Sequence, residues 1–252
     1  MSKGILFDSR LCIGCGNCSE ACREAHHLSG KLNPTDLDAD NFTVVKRVDG
    51  YKVRDFCRHC LKPACASSCP VGALKKTAEG PVVYDANKCI GCRYCFVACP
   101  YRIPRYQWNS TRPQVRKCDF CVEKQKQGEA TACADACPAE ATVFGEREEL
   151  LKEAHARLEA EPQWYFPKVF GETEGGGSSI LIITSPVIVK KALIYPTIKT
   201  PLPDLTAAAH NQVPFVGFGV GTMLCGIWWL SKRRNEVAAL EALLRKKEFD
   251  GK

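Results

Sequence analysis

Residues Cys89 to Pro100 read Cys-Ile-Gly-Cys-Arg-Tyr-Cys-Phe-Val-Ala-Cys-Pro. Three thiolates within seven residues can hold three corners of an iron-sulfur cubane, while a fourth on the following helix points away toward a second cluster. Such a motif needs companions, and three others occur. Cys12, Cys15, Cys18 and Cys22 repeat the two-two-three spacing; Cys57, Cys60, Cys65 and Cys69, and Cys118, Cys121, Cys133 and Cys137, are looser quartets. No nucleophile with a base, paired-carboxylate site or phosphate-binding loop stands out. The chemistry on offer is one-electron transfer rather than bond making.

Of seventeen cysteines in 252 residues, only Cys225 falls outside the quartets. Disulfides scatter half-cystines through short secreted chains, and structural zinc prefers paired knuckles separated by a longer spacer. Neither suits a quartet with three ligands in seven residues. The formal charge of +7 would suit nucleic acid or an acidic partner. Sixteen thiolates on four cores of about +2 each bring the net near about −1, so the basic excess offsets cluster charge and no nucleic-acid partner is expected.

The segment Asp8 to Cys18 aligns without gaps on Asp85 to Cys95, a displacement of 77 residues that also carries Cys22 onto Cys99. Cys57, Cys60, Cys65 and Cys69 correspond to Cys118, Cys121, Cys133 and Cys137, with seven extra residues between the second and third ligands. The chain is a duplicated two-motif unit. Arg23 stands where the other three quartets have proline after the fourth cysteine.

Elements that position the quartets are legible nearby. Met1 to Asp8 reads as a strand entering the first motif, too short for the apolar core of a secretory signal. Phe42 to Val48 and Tyr51 to Arg54 flank Asp49-Gly50, a hairpin signal, and Leu74 to Thr77 with Pro81 to Tyr84 form a second ribbon around Glu79-Gly80. Arg102, Arg105, Arg112 and Arg116 between the third and fourth motifs make either a solvated basic loop or a docking surface. Glu146 to Leu158 has helical spacing, with His155 expected on its surface. Gly175-Gly-Gly-Ser-Ser opens the apolar run Ile180 to Thr184, and proline-punctuated Pro186 to Pro203 is expected to be an extended tail.

Val213 to Leu230 is eighteen residues without a charge. As a helix it spans about 27 Å, close to the hydrocarbon thickness of a bilayer. Trp228 and Trp229 close it and Lys232, Arg233 and Arg234 follow, which predicts a transmembrane helix with a cytoplasmic C-terminus. Gly217, Gly219, Gly221 and Gly226 allow a second helix to approach closely, and Cys225 reads as a small packing residue. Glu236 to Phe249 carries Leu240, Leu243 and Leu244 beside Arg245, Lys246 and Lys247, as an amphipathic helix near anionic lipid would.

The four quartets in this order, the Cys-Pro-Tyr and Lys-Cys-Asp-Phe-Cys stretches, and a Gly-Gly-Gly-Ser-Ser segment before a C-terminal membrane helix resemble the iron-sulfur beta subunits of the molybdopterin oxidoreductase superfamily. The nearest resemblance is to the membrane-anchored beta subunit of respiratory formate dehydrogenase; the ferredoxin-like subunit of periplasmic nickel-iron hydrogenases is similar. The resemblance implies an α+β, duplicated bacterial-ferredoxin-like fold with two units of two 4Fe-4S clusters over residues 1–145, motifs one and four forming one unit and motifs two and three the other. A helix and extended linker over 146–212, a single transmembrane helix over 213–230 and a cytoplasmic amphipathic tail over 231–252 follow.

Carried over from that family, Cys12, Cys15, Cys18 and Cys137 hold one cluster and Cys118, Cys121, Cys133 and Cys22 its neighbour. Cys57, Cys60, Cys65 and Cys99 hold a third, and Cys89, Cys92, Cys95 and Cys69 a fourth. Nitrate reductase relatives replace one cysteine of the third motif by tryptophan and hold a 3Fe-4S centre there; here that motif keeps all four cysteines. The implied partners are a large pterin-containing catalytic subunit and a membrane cytochrome b or quinone-reactive subunit. The chain is then a non-catalytic relay, its cluster domain extracytoplasmic and exported with a partner that carries a twin-arginine signal. Three alternatives stand: a hydrogenase or another pterin enzyme as partner, a free-standing membrane-tethered polyferredoxin, and a colourless zinc module.

Overall fold

The computed structural model describes residues 2–191 and 195–250, with side chains as far as Arg245 in the last helix. The strands are β1 (Lys3–Asp8), β2 (Thr43–Val48), β3 (Tyr51–Phe56), β4 (Leu74–Lys76), β5 (Val82–Tyr84), β6 (Arg105–Tyr106), β7 (Val115–Arg116), β8 (Thr142–Glu146) and β9 (Ile180–Ile183). The helices are α1 (Asn17–Ala25), α2 (Ala64–Ser67), α3 (Tyr94–Ala98), α4 (Val122–Lys126), α5 (Ala132–Asp135), α6 (Arg147–Ala160), α7 (Pro186–Lys191) and α8 (Leu202–Asp250). Two compact units result, Met1–Pro203 and Asp204–Lys252.

Strand β1 is central in a three-stranded sheet, antiparallel to β8 and parallel to β9. Its side chains alternate, as a period of two requires. Ile5 and Phe7, with Ile180 and Ile182 of β9, pack among Cys18, Cys133, Phe56 and Phe120. Leu6, Leu181 and Ile183 face Leu150 and Ala154 of α6. Both faces of β9 are buried, which is why Ile180 to Ile183 is a continuous apolar run. Each such side chain stabilises the fold by roughly 1.5–3 kcal/mol. At the end of β1, fully buried Asp8 accepts from the Tyr165 hydroxyl at 2.8 Å and from Arg157 at 3.2 Å.

The duplication is written into strand register. Phe7 pairs with Thr142 as Tyr84 pairs with Leu74, and Ile5 pairs with Phe144 as Val82 pairs with Lys76. Position for position, β1–β8 and β5–β4 are the same ribbon, lying beside the first and fourth motifs in one case and the third and second in the other. α1 packs on α5, and α2 on α3.

Between the ribbons lies the hairpin β2–β3, with Asp49 at φ 48° and Gly50 at φ 81°. Two positive φ values in succession are what a two-residue hairpin turn of the strand-matching hand demands. The seven additional residues of the fourth motif accommodate α4 and the turn at Gly128, φ 80°.

The Gly-Ser segment laces the two ribbons together. The amides of Ile5 and Leu61 donate to the carbonyls of Ser179 and Gly177, the Ser179 amide donates to the His59 carbonyl, and its hydroxyl donates to Gly80. Gly171 sits opposite this crossing at φ 92°, where a Cβ would overlap the Ile180 carbonyl oxygen. Gly171→Ala is expected to lower stability by about 3 kcal/mol or more, read as a fall in the thermal or urea midpoint.

Downstream, the structure departs from an extended tail. Pro186 to Lys191 is helical, because proline suits a first helical turn and Ile188 finds a buried seat. Ala192, Leu193 and Ile194 lie outside the described residues, and Tyr195 packs edge-on to Tyr101 with ring centroids 5.2 Å apart. α8 is one helix of 49 residues, about 73 Å long, that continues from the apolar stretch into the charged one. From Ser231 to Phe249 neither glycine nor proline interrupts it. It is apolar and long enough to cross a membrane, with a mean hydropathy of 1.6 in its most apolar window. The Lys232 ammonium lies 5.2 Å from the centre of the Trp228 ring. The side chains of Lys246 and Lys247 lie outside the described residues.

Candidate metal centre

Each motif turns on residues in the left-handed region, and these recur at equivalent places of the duplicated unit. Gly14 and Gly16 in the first motif match Gly91 and Arg93 in the third, and His59 in the second matches Phe120 in the fourth. Left-handed backbone costs a non-glycine residue about 1–2 kcal/mol. It also turns successive amides toward one point, an anion-binding concavity. Cys69 shows the effect: burial raises its thiol pKa, but the amides of Leu74, Val71, Ala73 and Gly72 outweigh that and bring it below the usual value.

The thiols gather in four groups. Cys12, Cys15, Cys18 and Cys137 line one cavity together with Phe7 and Val45. Cys22 lies within electrostatic reach of Cys133 and Cys121, and Cys118 of Cys22 and Cys121. Cys60 and Cys65 face Cys57 and Cys99. Cys95 faces Cys89, Cys92 and Cys69. In every group three cysteines come from one motif and the fourth from its partner. Cys18 lies near Cys133 and Cys118 near Cys57, so the first group adjoins the second and the second the third. Cys15 and Cys92 are exposed, one in the first group and one in the group of Cys95.

Several flanking residues complete these sites. Without a proline after Cys22, α1 runs on to Ala25, whereas α3 stops at Ala98 ahead of Cys99-Pro100. The extra turn delivers His26, whose Nε2 lies 3.1 Å from Asp119 Oδ1 and 3.9 Å from Cys121 Sγ. Burial pulls the His26 pKa down, yet hydrogen bonds to Asp119, Cys121 and Cys22 prevail and lift it to about 12. His59 is also buried, and its Nδ1 accepts from the Val82 amide at 2.9 Å. Burial, then the charges of Lys117 and Lys76, keep that ring neutral. Its Nε2–H therefore stays a donor, and no acceptor among the described residues reaches it.

An orphaned buried donor is costly unless an acceptor arrives, and inorganic sulfide of a cluster is an acceptor of the kind it lacks. Sulfur-only donor sets, inward amides and this donor all suit iron-sulfur clusters. Arg54, His26 and the orphaned donor of His59 carry no comparable mark in the sequence. His59 lies inside the Cys57 to Cys60 motif, and Arg54 is a lone charge in an otherwise ordinary strand. Of the interposed basic residues, Arg105 is structural: it donates to the Leu37 carbonyl at 2.7 Å and to Asp36 at 3.1 Å. His155, on the surface of α6, pairs with Glu172 at 3.3 Å.

Burial, then Cys57 and Cys99, pushes the Cys60 thiol up to about 12, and burial with its neighbours lifts Cys95 to about 11. The usual value is 9.0. Ligation requires thiolates, so iron loading should release on the order of one proton per thiol and strengthen as pH rises from about 6 to about 8.

Clustered thiols, neutral buried donors and a duplicated ribbon define an iron-sulfur electron carrier of ferredoxin-like α+β fold. A family model described as a 4Fe-4S dicluster domain matches residues 48–147. The hydrogenase-2 operon protein HybA of Shigella flexneri is 33% identical, covering 84% of this chain and 76% of its own. The B subunit of the anaerobic dimethyl sulfoxide reductase of Escherichia coli is 38% identical over 62% of this chain and 79% of its own. The formate dehydrogenase iron-sulfur subunit of Haemophilus influenzae is 36% identical over 61% and 54%. The chain belongs to the family of iron-sulfur beta subunits of the molybdopterin oxidoreductase superfamily, electron-transfer subunits of oxidoreductase complexes that bind 4Fe-4S clusters.

Proposed function

We propose that the chain is a four-cluster relay between a large pterin-containing catalytic subunit of the formate dehydrogenase type and a membrane cytochrome b that serves quinone. The observation that carries this reading is the gathering of sixteen thiols into four groups, each completed by a cysteine from the partner motif. The ligand sets are Cys12, Cys15, Cys18 and Cys137; Cys22, Cys118, Cys121 and Cys133; Cys57, Cys60, Cys65 and Cys99; and Cys69, Cys89, Cys92 and Cys95. Motifs one and four make one unit and motifs two and three the other. The matching strand registers of the two ribbons support this division.

When bound, the 4Fe-4S clusters supply one-electron redox chemistry. The chain's residues would hold the four sites, with the amides around Cys69 and the unpartnered Nε2–H of His59 as donors available to sulfur. Exposed Cys15 and Cys92 bring the two end sites to the surface, where electrons can pass to and from other subunits.

α8 crosses the membrane with its basic end in the cytoplasm, and the cluster-bearing unit is extracytoplasmic, carried across folded with a partner that holds a twin-arginine signal. Lys232, Arg233 and Arg234 support that direction. In intact spheroplasts external protease is expected to digest the cluster domain; its protection would contradict the orientation. A second reading, with a nickel-iron hydrogenase as electron source, is favoured by one observation: the match to HybA spans a larger share of both chains than the match to the formate dehydrogenase subunit. Purification of the complex separates the two. A stoichiometric pterin subunit is expected; nickel in its place supports the hydrogenase, and no stoichiometric partner would point to a free-standing polyferredoxin.

A further inference from the structure

Arg54 lies on β3, in the hairpin between the first and second motifs that belongs to neither ribbon. It is 1% exposed. Its Nε donates to Thr43 Oγ1 at 2.9 Å and its Nη1 to Thr142 Oγ1 at 3.0 Å, both hydroxyls themselves buried. The guanidinium carbon sits 4.2 Å from the centre of the Phe56 ring. Among the described residues no carboxylate pairs with it. The groups around it are thiols: its partner Thr142 lines one cavity with Cys12, Cys15, Cys18 and Cys137, its ring partner Phe56 packs with Cys18 and Cys133, and Cys133, Cys18 and Cys118 lie within electrostatic reach of the guanidinium.

A buried cation without a counterion is among the least tolerable features of a fold. Here the counterions are the cluster sites. Cys12 and Cys18 belong to the first ligand set, and Cys118 and Cys133 to the second. Four thiolates on an oxidised core leave a net charge of about −2 at each site, and reduction adds another negative charge.

We propose that Arg54 is a shared electrostatic tuner of the first two sites. It lies between them and raises both reduction potentials. The inference rests on the ligand sets proposed above. Arginine suits the role because it stays charged at any working pH and its planar fork can be tethered by two hydroxyls and still reach sulfur. Thr43 on β2 and Thr142 on β8 fix the fork, so the hairpin clamps the relay at the point where the first group meets the second.

The test is a redox titration of the purified complex, followed by electron paramagnetic resonance with iron analysis, in the native protein, Arg54→Gln and Arg54→Lys. In Arg54→Gln two centres are expected to become harder to reduce, each by a tenfold or larger change in its reduced-to-oxidised ratio at fixed potential, about 59 mV for one electron. The other two should not move, and Arg54→Lys should restore most of the shift. A merely structural arginine would alter iron content or stability without this two-of-four pattern. Full iron with unmoved potentials, or an equal shift of all four, would overturn the role of Arg54. Should Arg54→Gln lose iron, Thr142→Val carries the test: one tether is cut, the charge is less firmly held, and the same two potentials should fall. Full iron with unmoved potentials in that variant overturns the proposal. Fewer than four reducible centres in the native protein would overturn the ligand sets, and the proposal with them.

Discussion

Cys95→Ala is expected to stop electron delivery to quinone while the catalytic partner continues to reduce or oxidise artificial dyes. Cys95 is buried on α3 and faces Cys89, Cys92 and Cys69. A methyl group cannot replace a thiolate, and a cubane held at three corners is exposed to loss or conversion. In a series relay one missing carrier opens a gap that no parallel route closes. Iron should fall by about a quarter if that site empties, and quinone-linked turnover should fall at least about a hundredfold, the upper end of what losing even an outer partner costs a metal site. Assaying both activities on the same preparation separates this from misfolding, since dye-linked turnover depends only on the partner. Unimpaired quinone reduction would contradict an obligatory relay.

The second large effect concerns anchoring. Gly219 and Leu224 lie in the uncharged stretch of α8, and a Cβ at Gly219 meets no other atom within 4 Å. Arginine at both positions is expected to cost about 2.5–3.5 kcal/mol each for insertion near the bilayer centre. Together that amounts to roughly 5–7 kcal/mol, enough to outweigh the favourable insertion of the remaining apolar residues. The Gly219→Arg, Leu224→Arg double variant should leave the membrane fraction in carbonate extraction with its iron content and visible spectrum unchanged. Retention in the membrane by a lipid-facing helix would contradict a single-span anchor; retention through a partner would disappear once the complex is dispersed in detergent.

Much of this architecture is legible in the chain. The displacement of 77 residues between Asp8 and Asp85 foreshadows the register shared by β1 and β5, and Asp49-Gly50 and Glu79-Gly80 mark the turns between β2 and β3 and between β4 and β5. These features are local, and spacing or turn chemistry reveals them. What is not local is harder to read. Ile180 to Ile183 gives no hint that it lies parallel to β1, because a run buried on both faces carries no period. The first turn of α7 hides behind Pro186, a residue that both ends extended segments and begins helices. α8 merges an apolar and an amphipathic stretch that composition alone divides.

The sites follow the same division. Cysteine types and spacing announce the ligands, since the chemistry demands sulfur at fixed intervals. The residues around them do not announce themselves: Arg54 meets Thr142 across 88 positions of sequence, and His26 meets Cys121 across 95. Only the absence of a proline at Arg23 signals that the helix after Cys22 differs from the others, and it signals no partner for the turn that follows.

The most direct measurement of the central claim is iron and acid-labile sulfide per chain in the purified complex, together with a count of one-electron centres by reductive titration. Four ligand sets of four cysteines require about sixteen irons, about sixteen sulfides and four centres. About eight irons with two centres, or a colourless protein that holds zinc, would contradict it.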